Sequence, residues 1–203
     1  MLKTVKRGPD KQFDPEVALG QAMEVFWARG YEAASLSELM EVMGIGKKSL
    51  YDTFGNKRSL FLKSLEHYAN SALRCMVQRL DEAPPEKVVA EIRGILGDWR
   101  ATHGCKESKG CLLGNNIADF DCSDTEVAQI FRGHLSTLEK AFASALERAK
   151  TEGGATLGDT PQRLARTLVC LGQGVAIVGR IMECSKVTDD ALHFASERLL
   201  AQP

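Results

Sequence analysis

Three observations predict an all-helical fold for this 203-residue chain. Apolar residues recur at helical spacing along nearly its whole length. A helix-start signal stands before almost every such run, and no alternating apolar–polar pair suggests strands. The composition, 44% hydrophobic and 26% charged, is that of a folded globular protein, which excludes disorder as the main reading. No run approaches the roughly 18 apolar residues of a membrane span, and no apolar segment follows the basic leader as in a secretory signal. The six cysteines are widely spaced. The expectation is a cytoplasmic protein with reduced thiols and no membrane contact.

The elements follow in order. Asp14-Pro15-Glu16 places a capping side chain, a proline and an acid at a helix start. Ala18, Ala22, Val25 and Phe26 then line one face, and Gly30 is expected to end the helix. Ser35 and Glu38 have capping-box spacing and open a short second helix that stops at Gly44. A third helix is expected over residues 48–54, ended by Gly55, with Asn56 capping a long fourth. Phe61, Leu65, Tyr68, Ala72, Met76 and Leu80 form that helix's apolar face as far as Pro84-Pro85, which reads as a boundary. Val88, Ile92, Ile95, Leu96 and Trp99 mark a fifth helix, residues 102–110 a polar loop, and residues 111–120 a short apolar stretch. Ser123-Asp124-Thr125-Glu126 opens a helix running through Val127, His134 and Phe142. After a glycine-rich turn, Thr160-Pro161 starts another, with Leu164, Leu168, Leu171, Val175, Val178 and Met182 on one face. Thr188-Asp189-Asp190 is expected to start the last, carrying Leu192, Ala195 and Leu199.

Function is concentrated in the second and third helices. Two short helices joined by a tight glycine-containing turn make a helix-turn-helix. Leu36, Leu39, Met40 and Met43 face inward from the first of them, and Leu50 and Phe54 from the second. Lys47, Lys48, Ser49, Tyr51 and Thr53 are left outside: cations and hydroxyls at the amide-rich end of a helix suited to a major groove. Although the formal net charge is −1, four cations against one acid stand in residues 1–11, and again in residues 44–58. Such local basic spots suit a confined anion contact. There is no Ser/His/Asp set, phosphate loop or His-Glu-x-x-His pattern, and the four histidines are scattered. The chain therefore reads as a non-enzyme without cofactor or metal. The alternative is a helical protein-interaction module without specific DNA binding.

Residues 13–65 resemble the DNA-binding domain of the TetR family of bacterial transcriptional regulators. Ala18, Ala22, Phe26, Gly30, Tyr31, Leu39, Gly44, Ile45, Lys48-Ser49-Leu50-Tyr51, Phe54, Lys57 and Leu60-Phe61 carry the resemblance. It implies an N-terminal three-helix DNA-binding domain (residues 1–60, with a basic arm) and a C-terminal ligand-binding and dimerisation domain (residues 61–203). It implies a double-stranded palindromic operator, a small-molecule ligand and a homodimer built from the last two helices. The positions that align with the family's DNA contacts are Ser35, Ser37, Lys47, Lys48, Ser49, Tyr51, Thr53 and Lys57. The basic leader resembles the arms that some members lay along DNA. Its other reading is a disordered tail.

In the C-terminal part, Lys109-Gly110-Cys111-Leu112-Leu113 with Asn115 resembles a subgroup whose relatives sense electrophiles or oxidants through the cysteine. Cys111 also fits a small buried apolar residue. With His103, Cys105 and Cys122 it could hold a soft metal, although the spacing matches no familiar zinc pattern. Cys75, Cys170 and Cys184 read as core. A ligand pocket is expected around Trp99, Cys111, Phe120 and Phe131, with Asn116, His134, Gln173 and Arg180 as polar contacts. Gly172, Gly174 and Gly179 within one helix each cost about 1 kcal/mol against alanine. Close approach of the symmetry-related helix is the expected compensation.

Overall fold

The computed structural model describes residues 13–103, 109–117, 120, 124–182 and 186–199. It divides into two compact units, Met1–Ser64 and Leu65–Pro203. The described residues are helical with no strand. Their helices are α1 (Pro15–Ala33), α2 (Leu36–Val42), α3 (Lys47–Phe54), α4 (Lys57–Glu82), α5 (Val88–His103), α6 (Leu112–Ile117), α7 (Thr125–Thr151), α8 (Pro161–Ile181) and α9 (Lys186–Phe194). A 3-10 turn, Pro85–Lys87, precedes α5, and a π-helical turn, Ala195–Leu199, follows α9.

In the first unit the capping signals act as their chemistry dictates. Asp14 Oδ1 accepts from the Glu16 amide at 2.9 Å, and Ser35 Oγ from the Glu38 amide at 3.1 Å. Asn56 Oδ1 accepts from the Ser59 amide at 2.8 Å. Phe26, Leu39, Leu50, Leu60 and Phe61 are fully buried. Phe26 and Phe61 meet edge to face, centroids 5.1 Å apart, and Tyr31 tilts onto Phe61 at 4.9 Å. Gly30 does not end the first helix. It breaks it, at φ 78° and ψ 169°, and helical backbone resumes as far as Ala33. The resumed turn carries Tyr31 into this aromatic cluster.

In the second unit α5, α7, α8 and α9 pack around Ile92, Ile95, Leu138, Phe142, Leu146, Leu164, Leu168 and Leu192. Arg148 closes the end of α4 by donating to the carbonyls of Leu80 at 2.7 Å and Ala83 at 3.2 Å. Asp124 caps α7, accepting from the Val127 amide at 3.3 Å, and Thr160 caps α8. Ser123 lies outside the described residues. The fifth helix extends to His103, into the expected loop, and the last begins at Lys186, ahead of Thr188.

Two expectations about α8 change. By length and composition it could cross a membrane, with a mean hydropathy of 1.4 over its most apolar window. That apolarity has a packing cause: Leu164, Ala165, Leu168, Val169, Val175 and Ala176 are core residues. Its glycines were expected to admit a second chain. A Cβ on Gly172 would instead lie 2.7 Å from Trp99 Cη2, and one on Gly179 would run into the His103 carbonyl. Both gaps are filled by α5 of the same chain, and Gly174 alone of the three has open space beside it. Cys75 and Cys170 are exposed rather than core, Cys170 on the outward side of α8. Cys105, Cys122 and Cys184 lie outside the described residues.

Candidate nucleic-acid interface and ligand cavity

The turn between α2 and α3 is set by Gly44, in left-handed backbone at φ 63°, followed by buried Ile45. Leu50 and Phe54 anchor α3 to the core. What remains outward are Lys47 and Lys48, both exposed, Tyr51 at 43% exposure, exposed Asp52, and half-buried Ser49 and Thr53. Gly46, the residue before α3, makes no side-chain cap, so the first amides of α3 have no capping side chain from that position. Cations, hydroxyls and this helix end therefore share one side of the element, an arrangement that can take a phosphate and reach base edges.

Three of the expected contacts are also engaged inside the fold. Ser35 Oγ caps α2 and lies 3.0 Å from Ser37 Oγ. Lys57 Nζ donates to the Glu32 carbonyl at 3.3 Å and sits 4.6 Å from the centre of the Tyr31 ring. Lys63, not anticipated from the sequence, donates to the carbonyls of Thr53 and Phe54 at 3.3 and 3.4 Å. Its ammonium thus sits at the negative end of the α3 dipole and holds that end of the helix. A lysine one to two turns into the next helix is a signal the sequence offers for this role.

The second unit contains a cavity of about 90 Å³. Of the residues expected to bind ligand, Trp99, Cys111, His134 and Gln173 line it; Asn116, Phe120, Phe131 and Arg180 do not. Asn116 is buried beside it in α6 and donates to the Leu112 carbonyl at 2.9 Å, while Phe120 and Phe131 are half-buried and Arg180 is exposed. Tyr68, Met76, His103, Leu138, Phe142, Val169, Gly172 and Ala176 complete the lining. Trp99 and Phe142 meet edge to face with centroids 6.3 Å apart.

Cys111 is held in this wall by a local device. Gly110 has φ 68°, and a Cβ there would lie 2.9 Å from both the Ala176 carbonyl and Asn115 Oδ1. Only glycine lets the chain turn so close to α8. Asn115 fixes the turn by donating to the Lys109 carbonyl at 2.6 Å. The Cys111 sulfur, 5% exposed as a residue, accepts from the Gly114 amide at 3.5 Å. The Tyr68 hydroxyl is bonded to the same sulfur and to the Leu112 backbone. Burial, and then the neighbouring Cys111, push that phenol well above its ordinary range, so Tyr68 stays neutral.

His134, 6% exposed, has its pKa lowered to about 4 by burial, so its ring is neutral near pH 7. Burial also lowers that of His103. His134 Nδ1 and Gln173 Oε1 are buried and have no hydrogen-bond partner among the described residues. Among the described residues no group of three His, Cys, Asp or Glu side chains could hold a metal ion.

Comparison with known proteins agrees with both units. The profile of bacterial regulatory proteins of the tetR family matches residues 18–63, from α1 into the start of α4. The HTH-type transcriptional regulator YezE of Bacillus subtilis (strain 168) is 36% identical over 163 residues, covering 79% of this chain and 83% of that protein. The HTH-type transcriptional repressor ComR of Escherichia coli (strain K12) is 31% identical over 86% of this chain and 83% of its own length. A cysteine mutant of the TetR family regulator CifR, complexed with 26-base-pair double-strand operator DNA, superimposes with a TM-score of 0.76. It is 27% identical, over 97% of this chain and 100% of that one. A helix-turn-helix with an outward basic face, a helical second unit, and this likeness across most of the length of relatives lead to one conclusion: the chain belongs to the TetR family of bacterial regulatory proteins.

Proposed function

We propose that this protein is a transcriptional repressor, acting in the cytoplasm as a homodimer on a palindromic operator and released by an inducer that enters the second unit. The observation that carries the reading is the outward face of α3, where Lys47, Lys48, Ser49, Tyr51 and Thr53 stand together on a helix anchored by Leu50 and Phe54. In a groove, lysine reaches guanine acceptors and phosphates, and the Tyr51 hydroxyl reaches phosphate oxygen. Ser37 flanks this face. Ser35 and Lys57 serve it through their cap and brace. ComR and the operator-bound CifR support the repressor reading. Residues 1–60 form the DNA-binding domain in this proposal and residues 61–203 the ligand-binding and dimerisation domain.

The dimer is supported by α8 and α9. Gly174, Ile177 and Ile181 form an exposed stripe on α8, with Ile181 77% exposed, and Val187 and Phe194 are exposed on α9. A contiguous apolar strip of this kind marks an interface, and a two-fold interface implies a palindromic site. The inducer reading rests on the cavity, where Cys111 offers a thiol beside Tyr68. Alkylation of Cys111 and reversible ligand binding both remain within it.

A gel shift with the DNA upstream of the protein's own gene tests the central claim. The wild-type protein retards that duplex and Tyr51→Ala does not, although it sediments as the same oligomer. Equal retardation by both proteins refutes the role given to α3.

A further inference from the structure

We propose that the cavity of the second unit selects a compact uncharged molecule that donates a hydrogen bond to Gln173 Oε1, as a primary amide or a small alcohol does. The inference rests on the reading of this unit as the inducer-binding part and adds the chemical class of the occupant. Three observations carry it.

The first is charge. Among the described residues, none that line the cavity is Asp, Glu, Lys or Arg, and burial keeps His134 neutral and also disfavours the charged form of His103. Among these residues an anion would meet no Lys or Arg, and a cation no carboxylate. An unpaired ion in a buried site is strongly disfavoured.

The second is the pair of unsatisfied atoms. Gln173 Oε1 can only accept, and it is buried with no donor among the described residues. His134 Nδ1 is likewise unpartnered. Purely apolar occupants would leave both atoms unpaired, which is costly in a desolvated place. Gly114 contributes here. A Cβ on it would lie 3.3 Å from Gln173 Oε1, so the bare backbone of α6 allows the amide to stand where it does.

The third is size. The cavity volume is about 90 Å³. It is smaller than the ~150 Å³ apolar cavity that accepts benzene. The occupant therefore has a handful of heavy atoms, stacked against Trp99 and Phe142, with its polar end towards Gln173.

The test uses three probes of equal size: acetamide, acetone and acetate. Acetamide is neutral and donates, acetone is neutral and cannot donate, and acetate is an anion. Full-length protein labelled with 15N-tryptophan gives two indole resonances, because the chain has two tryptophans. Trp99 lines the cavity, and Trp27 lies in the other unit and serves as reference. Acetamide should move the Trp99 resonance saturably in the millimolar range and leave Trp27 in place. Acetone and acetate should bind about tenfold more weakly or not at all. In Gln173→Leu the preference of acetamide over acetone should vanish. Equal binding of acetone, tighter binding of acetate, or no saturable shift with any probe overturns the proposal, the last meaning that water satisfies the two atoms. Operator binding is read separately by gel shift. An absent acetamide site therefore leaves the DNA-binding role intact, and absent operator binding leaves the site intact.

Discussion

Lys48 and Lys57 are both cations of the DNA-binding unit, and their surroundings predict opposite effects of removing them. Lys47 and Lys48 are exposed beside the start of α3, while the Lys57 ammonium is shared between the Glu32 carbonyl and the Tyr31 ring. Two phosphate-neutralising lysines per protomer give four per dimer. At about −0.9 per phosphate, the slope of log affinity against log salt from these four is about −3.6. Between about 50 and 200 mM salt this alone is roughly a 150-fold loss of affinity. Lys48→Ala removes two charges per dimer and should flatten the slope by about 1.8, leaving roughly a 12-fold loss from the remaining pair. Lys57→Met should leave the slope unchanged. It should instead lower stability by about 0.5–1.5 kcal/mol through the lost carbonyl and ring contacts. Fluorescence anisotropy of a labelled operator across a salt series reads the slope, and urea unfolding reads the stability. A Lys57→Met protein whose slope flattens as much as that of Lys48→Ala would refute the assignment of Lys57 to the fold.

Other expectations follow from the second unit. His134 titrates near 4 when folded and near 6.5 when unfolded, so the unfolded chain gains a proton first as pH falls. Stability should drop between those values, by up to about 3 kcal/mol, and urea titrations of His134→Phe should lack this component. If Cys111 is the sensing thiol, an electrophile should release operator from the wild type and not from Cys111→Ser; equal release from both assigns induction elsewhere. Gly172→Ala forces a methyl against Trp99 and should cost about 1–3 kcal/mol in urea unfolding, an effect that an unshifted midpoint would rule out. Ile181→Asp places a charge on the exposed α8 stripe and should convert dimer to monomer in sedimentation; an unchanged dimer would move the interface off that stripe.

The first unit was legible in the sequence because its signals are local. Ser35 and Glu38 cap within one turn, Gly44 and Gly55 have φ of 63° and 82°, and Asn56 caps α4 as its position requires. Gly30 misled because a positive-φ glycine ends a helix only if the next residues have somewhere else to go. Here Tyr31 is drawn onto Phe61 and the turn continues. The second unit was less legible because its decisive contacts join distant elements. The glycines of α8 correctly signalled a close approach, but sequence could not say that Trp99 and His103 fill Gly172 and Gly179. Half of the expected ligand residues line the cavity. Tyr68 was read only as part of an apolar face. Its hydroxyl on that face, which needs a partner once buried, was the available clue to Cys111.

The use of both sides of α8 bears on which sequence changes this protein can absorb. Along its last two turns, Val175, Ala176 and Gly179 are buried while Gly174, Ile177 and Ile181 lie on the outer stripe. On this assignment nearly every position there serves either the fold or subunit assembly. Drift in that segment should be paired: enlargement at 172 or 179 would survive only with a smaller residue at 99 or a displaced end of α5. The outward side of α7, where Gln129, Arg132 and Lys140 are exposed, lies outside the core and should vary more widely. A saturation library scored for operator binding should therefore give a nearly uniform row of losses along the end of α8 and an alternating row along α7.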